Sequence, residues 1–351
     1  LFPYTTLFRS PYWKDVIDLY IQKGDCDVIV IGFTINDEHF VRNSLYGRQK
    51  KSNHVQAYPI EMFMTPFSLV DSFMRTLWSK IALPSETIFC GRNIRPVLND
   101  AYEAERFNGS VFRNICCFKA FKRILSSYRP SVIYWPWENQ SWEKMLILAK
   151  KNISPSSVTV GHQQTSIPLF LLNFFPGKSE SDFSPYPNHI ITTGRISHEI
   201  LETLGNYPEG CLSTGCALRY KYLYEFDAWR GPLKERECIT LALTVDLNII
   251  RNVLEMSMKA LHGSGYKVVV KFHPSTIGND ILRTLDIKLP EDFKVDDSSM
   301  KDILKKTRTL IYCQSAACFE ANMSGIPVIY VDCGKGIFGD PMFSNDHLKW
   351  I

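Results

Sequence analysis

Tyr312-Cys-Gln-Ser-Ala-Ala-Cys-Phe-Glu-Ala-Asn-Met-Ser-Gly-Ile-Pro-Val-Ile-Tyr330 reads as an apolar strand, a short helix and a second apolar strand. Its punctuation sets the boundaries. Ser315 stands where a helix N-cap belongs, Gly325 where the helix closes, and Pro327 forbids its continuation. A helix that opens at the carboxyl end of a strand turns its unpaired N–H groups and its dipole toward whatever binds there. Nucleotide phosphate is the anion this arrangement suits.

Upstream, Tyr266-Lys-Val-Val-Val-Lys-Phe-His-Pro274 reads as another buried strand, ending in His273-Pro274 beside Lys271. From Asp27 onward, short apolar runs alternate with helical periodicity, the pattern of a doubly wound sheet. Strands are expected at 28–33, 132–135, 158–161, 189–193, 239–245, 267–272, 293–295, 309–313 and 327–331. Helices are expected at 111–127, 141–151, 196–204, 247–262, 280–285, 300–306 and 316–323, and residues 40–101 show no clear period. The polar, Gly-Pro-containing stretch at 227–237 divides an N-terminal unit (11–230) from a C-terminal unit (237–351) that is expected to carry the nucleotide. The expected fold class is α/β: two Rossmann-like domains facing a cleft, with ligands outside the carboxyl ends of the strands.

At 351 residues, 45% hydrophobic and 22% charged, the composition is that of a soluble globular protein. A net charge of +4 without a Lys/Arg run argues against nucleic acid as a partner and leaves room for peripheral contact with an anionic membrane. The ten cysteines form neither a CxxC pair nor a zinc ligand set, which reads as reduced thiols in the cytoplasm. No stretch approaches the roughly 20 apolar residues of a spanning helix. The most apolar segments, 63–83 and 167–175, read as a core helix and a core-packing loop, with a position at a membrane interface as the alternative for either. Leu1 to Ser10 resembles an in-frame translation of a sequencing-library adapter and is set outside the fold argument. On that reading the true N-terminus is missing, and Trp350-Ile351 carries no cap signal at the other end.

Several side chains at expected strand ends are suited to chemistry. His273 can donate to a phosphate or simply end a strand, and Ser315 can bind phosphate or serve as an ordinary cap. Glu320 is placed either to hold ribose hydroxyls or on a solvated helix face. In Tyr134-Trp-Pro-Trp-Glu-Asn-Gln-Ser-Trp-Glu143, Glu138 follows a buried strand among aromatic rings, either as a general base with a raised pKa or as a helix-start charge in a packed corner. Glu143 reads as a surface residue. His162, in Val158-Thr-Val-Gly-His-Gln-Gln-Thr165, ends the next strand and is topologically close to Glu138. Arg219 and Lys221 lie either near a diphosphate or on a solvated basic face. Asp297-Ser-Ser299 reads as a second helix cap.

Other chemistries lack their motifs. Asp25-Cys26-Asp27 precedes its apolar run instead of following it, so it is rejected as a metal site. GxxxxGK[ST] and GxSxG are missing from the chain, against P-loop NTPases and α/β-hydrolases.

Trp137-Glu-Asn-Gln-Ser-Trp-Glu, Gly161-His-Gln-Gln, Ala217-Leu-Arg-Tyr-Lys-Tyr-Leu, Lys271-Phe-His-Pro and the 312–330 block together resemble a family of bacterial surface-carbohydrate (O-antigen type) biosynthesis proteins. The resemblance covers roughly Tyr134 to Pro341. It implies a GT-B glycosyltransferase with no cofactor and no metal, a nucleotide-activated sugar as donor and a saccharide or lipid-linked acceptor. It places the chain in the cytoplasm, with the inner membrane face as one place of work. The His-Pro and Ser-helix-Glu pattern is also similar to that of transferases using CMP-sialic acid, CMP-Kdo or CDP-glycerol. That likeness implies donor contacts at His273, Pro274, Ser315, Ala316 and Glu320, with Lys271 and Arg219 nearby and Glu138 or His162 as base. Ala316 stands where the second hydroxyl of that pattern's Ser-Ser/Thr pair belongs. Non-hydrolysing sugar-nucleotide 2-epimerases share the two-domain shape but resemble Ser-Gly-Gly-x-Gln-Glu-Glu at the helix start, where this chain has Ser315-Ala-Ala-Cys-Phe-Glu-Ala. A non-catalytic module of a polysaccharide assembly complex is the third reading.

Overall fold

The computed structural model describes residues 22, 27–33, 49–52, 55–80, 87–89, 91–178, 180–225, 235–333 and 339–343. The adapter-like residues 1–10, the linker core 226–234 and the last residues 344–351 lie outside the described residues. The chain forms two compact units. One comprises the described residues of Leu1–Gln163, Lys178–Ile191 and Pro208–Ser213, the other those of Gln164–Gly177, Thr192–Tyr207 and Thr214–Ile351.

In the first unit, β1 (Val28–Gly32) pairs in parallel with β3 (Val55–Pro59), and β2 (Gln49–Ser52) lies antiparallel on β3. A small hairpin joins β4 (Ile88–Phe89) to β5 (Arg92–Asn93). A four-stranded sheet runs in sequence order through β6 (Val132–Trp137), β7 (Val158–Gln163), β8 (His189–Thr192) and β9 (Leu212–Thr214), with β6, β7 and β8 parallel. Its helices are α1 (Pro66–Trp78), α2 (Arg95–Phe107), α3 (Ser110–Tyr128) and α4 (Ser141–Ile153). The core helix expected within 63–83 forms as α1, but it is turned over. Its buried residues are Ser68, Ser72 and Thr76, while Phe67, Val70, Phe73, Leu77 and Trp78 are exposed.

The second unit carries α5 (Arg195–Leu204) and a five-stranded parallel sheet. Its strands are β10 (Cys238–Ala242), β11 (Lys267–Lys271), β12 (Phe293–Val295), β13 (Thr307–Tyr312) and β14 (Val328–Tyr330). In space they run β12-β11-β10-β13-β14, all pairs parallel. Numbered within this sheet, that is the Rossmann-type order 3-2-1-4-5. Every residue of β10 is buried, as a central strand covered on both faces requires. Ile239, Leu241 and Leu243 pack with Val268, Val270, Ile250 and Leu254. The opposite face packs Ala242, Leu310 and Tyr312 against Cys318, Ala321 and Ile326. The connecting helices are α6 (Leu247–Leu261), α7 (Gly278–Leu285), α8 (Met300–Lys306) and α9 (Ala317–Met323). Asp246 caps α6 through two backbone N–H bonds, and Ser299 caps α8, as the Asp297-Ser-Ser299 reading expected.

The deciding segment forms as read, with one shift. Gly325 adopts φ +72°, its N–H bonds Asn322 O at 3.0 Å, and Ile326 N–H bonds Ala321 O at 2.9 Å. These two bonds are a complete Schellman closure, which favours glycine because a Cβ strains that backbone. The N-cap of α9, however, is Ala316 and not Ser315. Gln314 adopts φ +53° directly after β13 and turns the chain early. The Ser315 hydroxyl then reaches only the Ala317 N–H, at 3.4 Å, a long contact.

Candidate functional site

In an open sheet of this order, ligands bind where the winding reverses, outside the carboxyl ends of the two central strands. Here these are β10 and β13. Ser315 and Ala316 follow β13, and His273 follows β11, the other neighbour of β10. His273 opens a tight turn, since its carbonyl accepts the Thr276 N–H at 2.9 Å with Pro274 at the second position. The Ser275 N–H donates to His273 Nδ1 at 3.2 Å, and the Ser275 hydroxyl lies 2.7 Å from the same nitrogen. An amide nitrogen can only donate, so Nδ1 accepts and the proton of the neutral ring sits on Nε2, where it can be donated. His273 lies at the exposed strand end, where partial desolvation first and the Arg219 charge second hold its imidazole below the usual value. Lys271 is tethered, donating to the Ser298 carbonyl at 2.8 Å.

Glu320, in the first turn of α9, is buried, so the solvated-face reading fails. The Tyr222 hydroxyl donates to its carboxylate in a short hydrogen bond. Burial pushes the carboxyl up, while Tyr222 and the Arg219 guanidinium pull it down. Arg219 and Tyr222 belong to a 3-10 segment, Leu218–Glu225, in which the Arg219 guanidinium stacks over the Tyr220 ring and Tyr220 meets Phe319 of α9. Tyr220 anchors this segment on α9, leaving Arg219 half-buried and Lys221 exposed. One cation thus acts on both His273 and Glu320. Tyr222 was missed by the sequence reading; the aromatic spacing of Tyr220, Tyr222 and Tyr224 was the available signal.

In the first unit, β6 delivers Glu138 to its carboxyl end, half-buried. Glu143, whose carboxylate accepts the Glu138 N–H, is 1% exposed, which corrects the reading of Glu143 as a surface residue. Trp135 Nε1 donates to one carboxylate oxygen at 2.9 Å, and the Glu138 and Gln140 N–H groups donate to the other at 2.9 and 3.2 Å. Burial still dominates and pushes the group up to about 7. His162 does not end its strand. β7 continues to Gln163, and the ring is buried with Nδ1 2.7 Å from the Tyr134 hydroxyl. Gly161 is required by packing, because a Cβ there would stand 2.7 Å from Trp137 Cβ. Among the described residues no group of three or more His, Cys, Asp or Glu could hold a metal ion.

No protein-family model matches the chain. No curated protein matches it either. Solved structures do. TarM aligns over 97% of this chain and 84% of its own, with 10% identity and a TM-score of 0.49. UDP-N-acetylglucosamine 2-epimerase from Rickettsia bellii aligns over 92% and 82%, with 11% identity and a TM-score of 0.48. MurG from Acinetobacter baumannii aligns over 91% and 73%, with 10% identity and a TM-score of 0.44.

Proposed function

We propose that the chain is a metal-independent glycosyltransferase of bacterial surface-polysaccharide synthesis, with a nucleotide-activated sugar as donor and a saccharide or lipid-linked hydroxyl as acceptor. The observation that carries this reading is the grouping in the second unit. A histidine with an Nε2–H donor, an arginine and a buried carboxylate gather at the carboxyl edge of a 3-2-1-4-5 sheet. His273 and Arg219 supply donors and charge for a diphosphate, and Glu320 is the acceptor for ribose hydroxyls. Pro274 fixes the turn that carries His273, and Ser315 and Ala316 present backbone after β13 at the same sheet edge. Lys271 supports the same edge through Ser298.

In the reaction, the acceptor oxygen forms a bond to the anomeric carbon as that carbon's bond to the phosphate oxygen breaks. The electron pair leaves with the nucleotide's phosphate oxygen, whose charge His273 and Arg219 stabilise. The acceptor's proton passes to Glu138 or His162. Glu138 suits this role better, because His162 is almost fully buried and engaged by Tyr134.

Calorimetric titration of the chain with CMP, CDP, UDP and GDP tests the donor site, with His273→Ala and Arg219→Ala in parallel. Binding of one nucleotide, weakened in both variants, is expected. A folded chain that binds none overturns the reading. Incubation with the matching nucleotide sugar then separates the chemistries: a transferase releases nucleotide only with acceptor, whereas an epimerase inverts the sugar and releases none.

A further inference from the structure

Helix α1 is amphipathic the wrong way round for a core helix. Its inward face is Ser68, Ser72 and Thr76, and each hydroxyl satisfies itself on the helix: Ser68 donates to Thr65 O at 2.7 Å, Ser72 to Ser68 O at 2.6 Å and Thr76 to Ser72 O at 2.9 Å. These short, self-satisfied side chains let α1 lie against α3, where Lys119 donates to Ser68 O at 3.1 Å. At 100° per residue, Phe67, Val70, Phe73, Leu77 and Trp78 fall on the opposite side. Phe67 is 81% exposed and Trp78 69%. Residues scattered singly in this way are ordinary on a surface, but five on one helical face are not.

The surroundings indicate the occupant. Across α1, its flanking residue Lys80 and α3 there are six basic residues, Arg75, Lys80, Arg113, Lys119, Lys122 and Arg123, and one acid, Asp71. Asp71 is already paired with Lys119 and Arg75. A second copy docking face to face would bring these like charges together. An anionic bilayer surface meets both demands, taking the apolar face below the headgroups and the basic residues among the phosphates. None of the described helices is long and apolar enough to span a membrane, so the contact is peripheral.

We propose that α1 lies in the interface of an anionic lipid bilayer, with Phe67, Val70, Phe73, Leu77 and Trp78 inserted and the basic residues of α1 and α3 at headgroup level. This does not rest on the donor site and holds whatever reaction the chain performs. The test is co-sedimentation of the full chain with phosphatidylcholine vesicles, with and without phosphatidylglycerol. It is repeated for Phe67→Ser/Phe73→Ser/Trp78→Ser and for Lys122→Glu/Arg123→Glu, with circular dichroism as the folding control. Binding to phosphatidylglycerol vesicles is expected, weaker in high salt. The apolar variant should lose roughly tenfold per truncated side chain, and the charge variant roughly fivefold per basic residue removed. No binding by the folded chain, or equal binding by the apolar variant, overturns the proposal. So does a concentration-dependent dimer that the apolar variant abolishes, because a second copy then covers the face.

Discussion

Glu143 and Glu320 occupy similar places, each a buried carboxylate in the first turn of a helix that follows a parallel strand. They are held in opposite ways. Glu143 is closed by its own neighbourhood: three N–H donors from Trp135, Glu138 and Gln140, all within eight residues of it. Glu320 is held by a tyrosine 98 residues away and faces the charge of Arg219. A carboxylate fully buried among its own local donors is closed to a ligand and acts as a structural pin. One held by distant groups, themselves placed at a sheet's binding edge, is poised to exchange a partner. The pair therefore separates fold maintenance from recognition within one chain.

The largest test of that contrast is Glu143→Ala. It strands three N–H donors in a buried corner and should cost about 2–4 kcal/mol of stability, with nucleotide affinity unchanged in the folded fraction. Denaturant unfolding read alongside calorimetry checks both halves. Glu143 also fixes a pH dependence. Its folded pKa of about 7 lies above its ordinary 4.5, so the neutral form is the one the fold favours. That contribution is complete below about 4.5 and is lost as pH rises through about 7, on the order of 3 kcal/mol in all. Glu143→Gln should flatten this part of the stability profile. A profile unchanged from the wild type would show that the carboxyl is ionised and stable where it sits.

On the same side of the comparison, Gly161→Ala should cost about 1–3 kcal/mol, because its methyl would overlap Trp137 and the strand pairing leaves little room to yield. Thermal unfolding measures it. A smaller effect is expected at the recognition site. Tyr222→Phe removes the hydrogen bond that lowers the Glu320 carboxyl and should cost about 1 kcal/mol of stability. It should also weaken nucleotide binding, which no change at Glu143 should do. Equal losses of affinity in the two variants would erase the distinction.

Much of this was legible in the sequence. All nine expected strands and seven expected helices form, with ends within three residues, because β10 to β14 are built on short apolar runs and the helices between them keep a clean period. Where reading failed, tertiary packing decided. α1 was taken for a core helix because apolar residues usually face inward, yet its small hydroxyls satisfy themselves and let the polar face be the buried one. Glu143 looked like a surface charge because acids favour helix starts, yet the Trp135 indole and the Glu138 and Gln140 N–H groups satisfy it in a buried corner. Ser315 missed the cap by one position because Gln314 took a left-handed turn that its residue type does not announce. The gathering of Arg219, Tyr222, His273 and Glu320 joins segments about a hundred residues apart, and no local pattern encodes it.

The finest test is a titration. Two causes hold the His273 pKa below its ordinary value, desolvation first and the Arg219 charge second. Removing the guanidinium in Arg219→Ala should raise the pKa partway only, since the desolvated environment remains. The same change should raise the Glu320 carboxyl further, because the positive charge that lowered it is gone. Two groups moving upward together, one a cation relieved of repulsion and the other an anion deprived of attraction, is the signature of one shared charge. Imidazole and carboxyl chemical shifts followed against pH would record it. If His273 moves and Glu320 does not, Arg219 serves the histidine alone, and Glu320 becomes a second structural pin like Glu143.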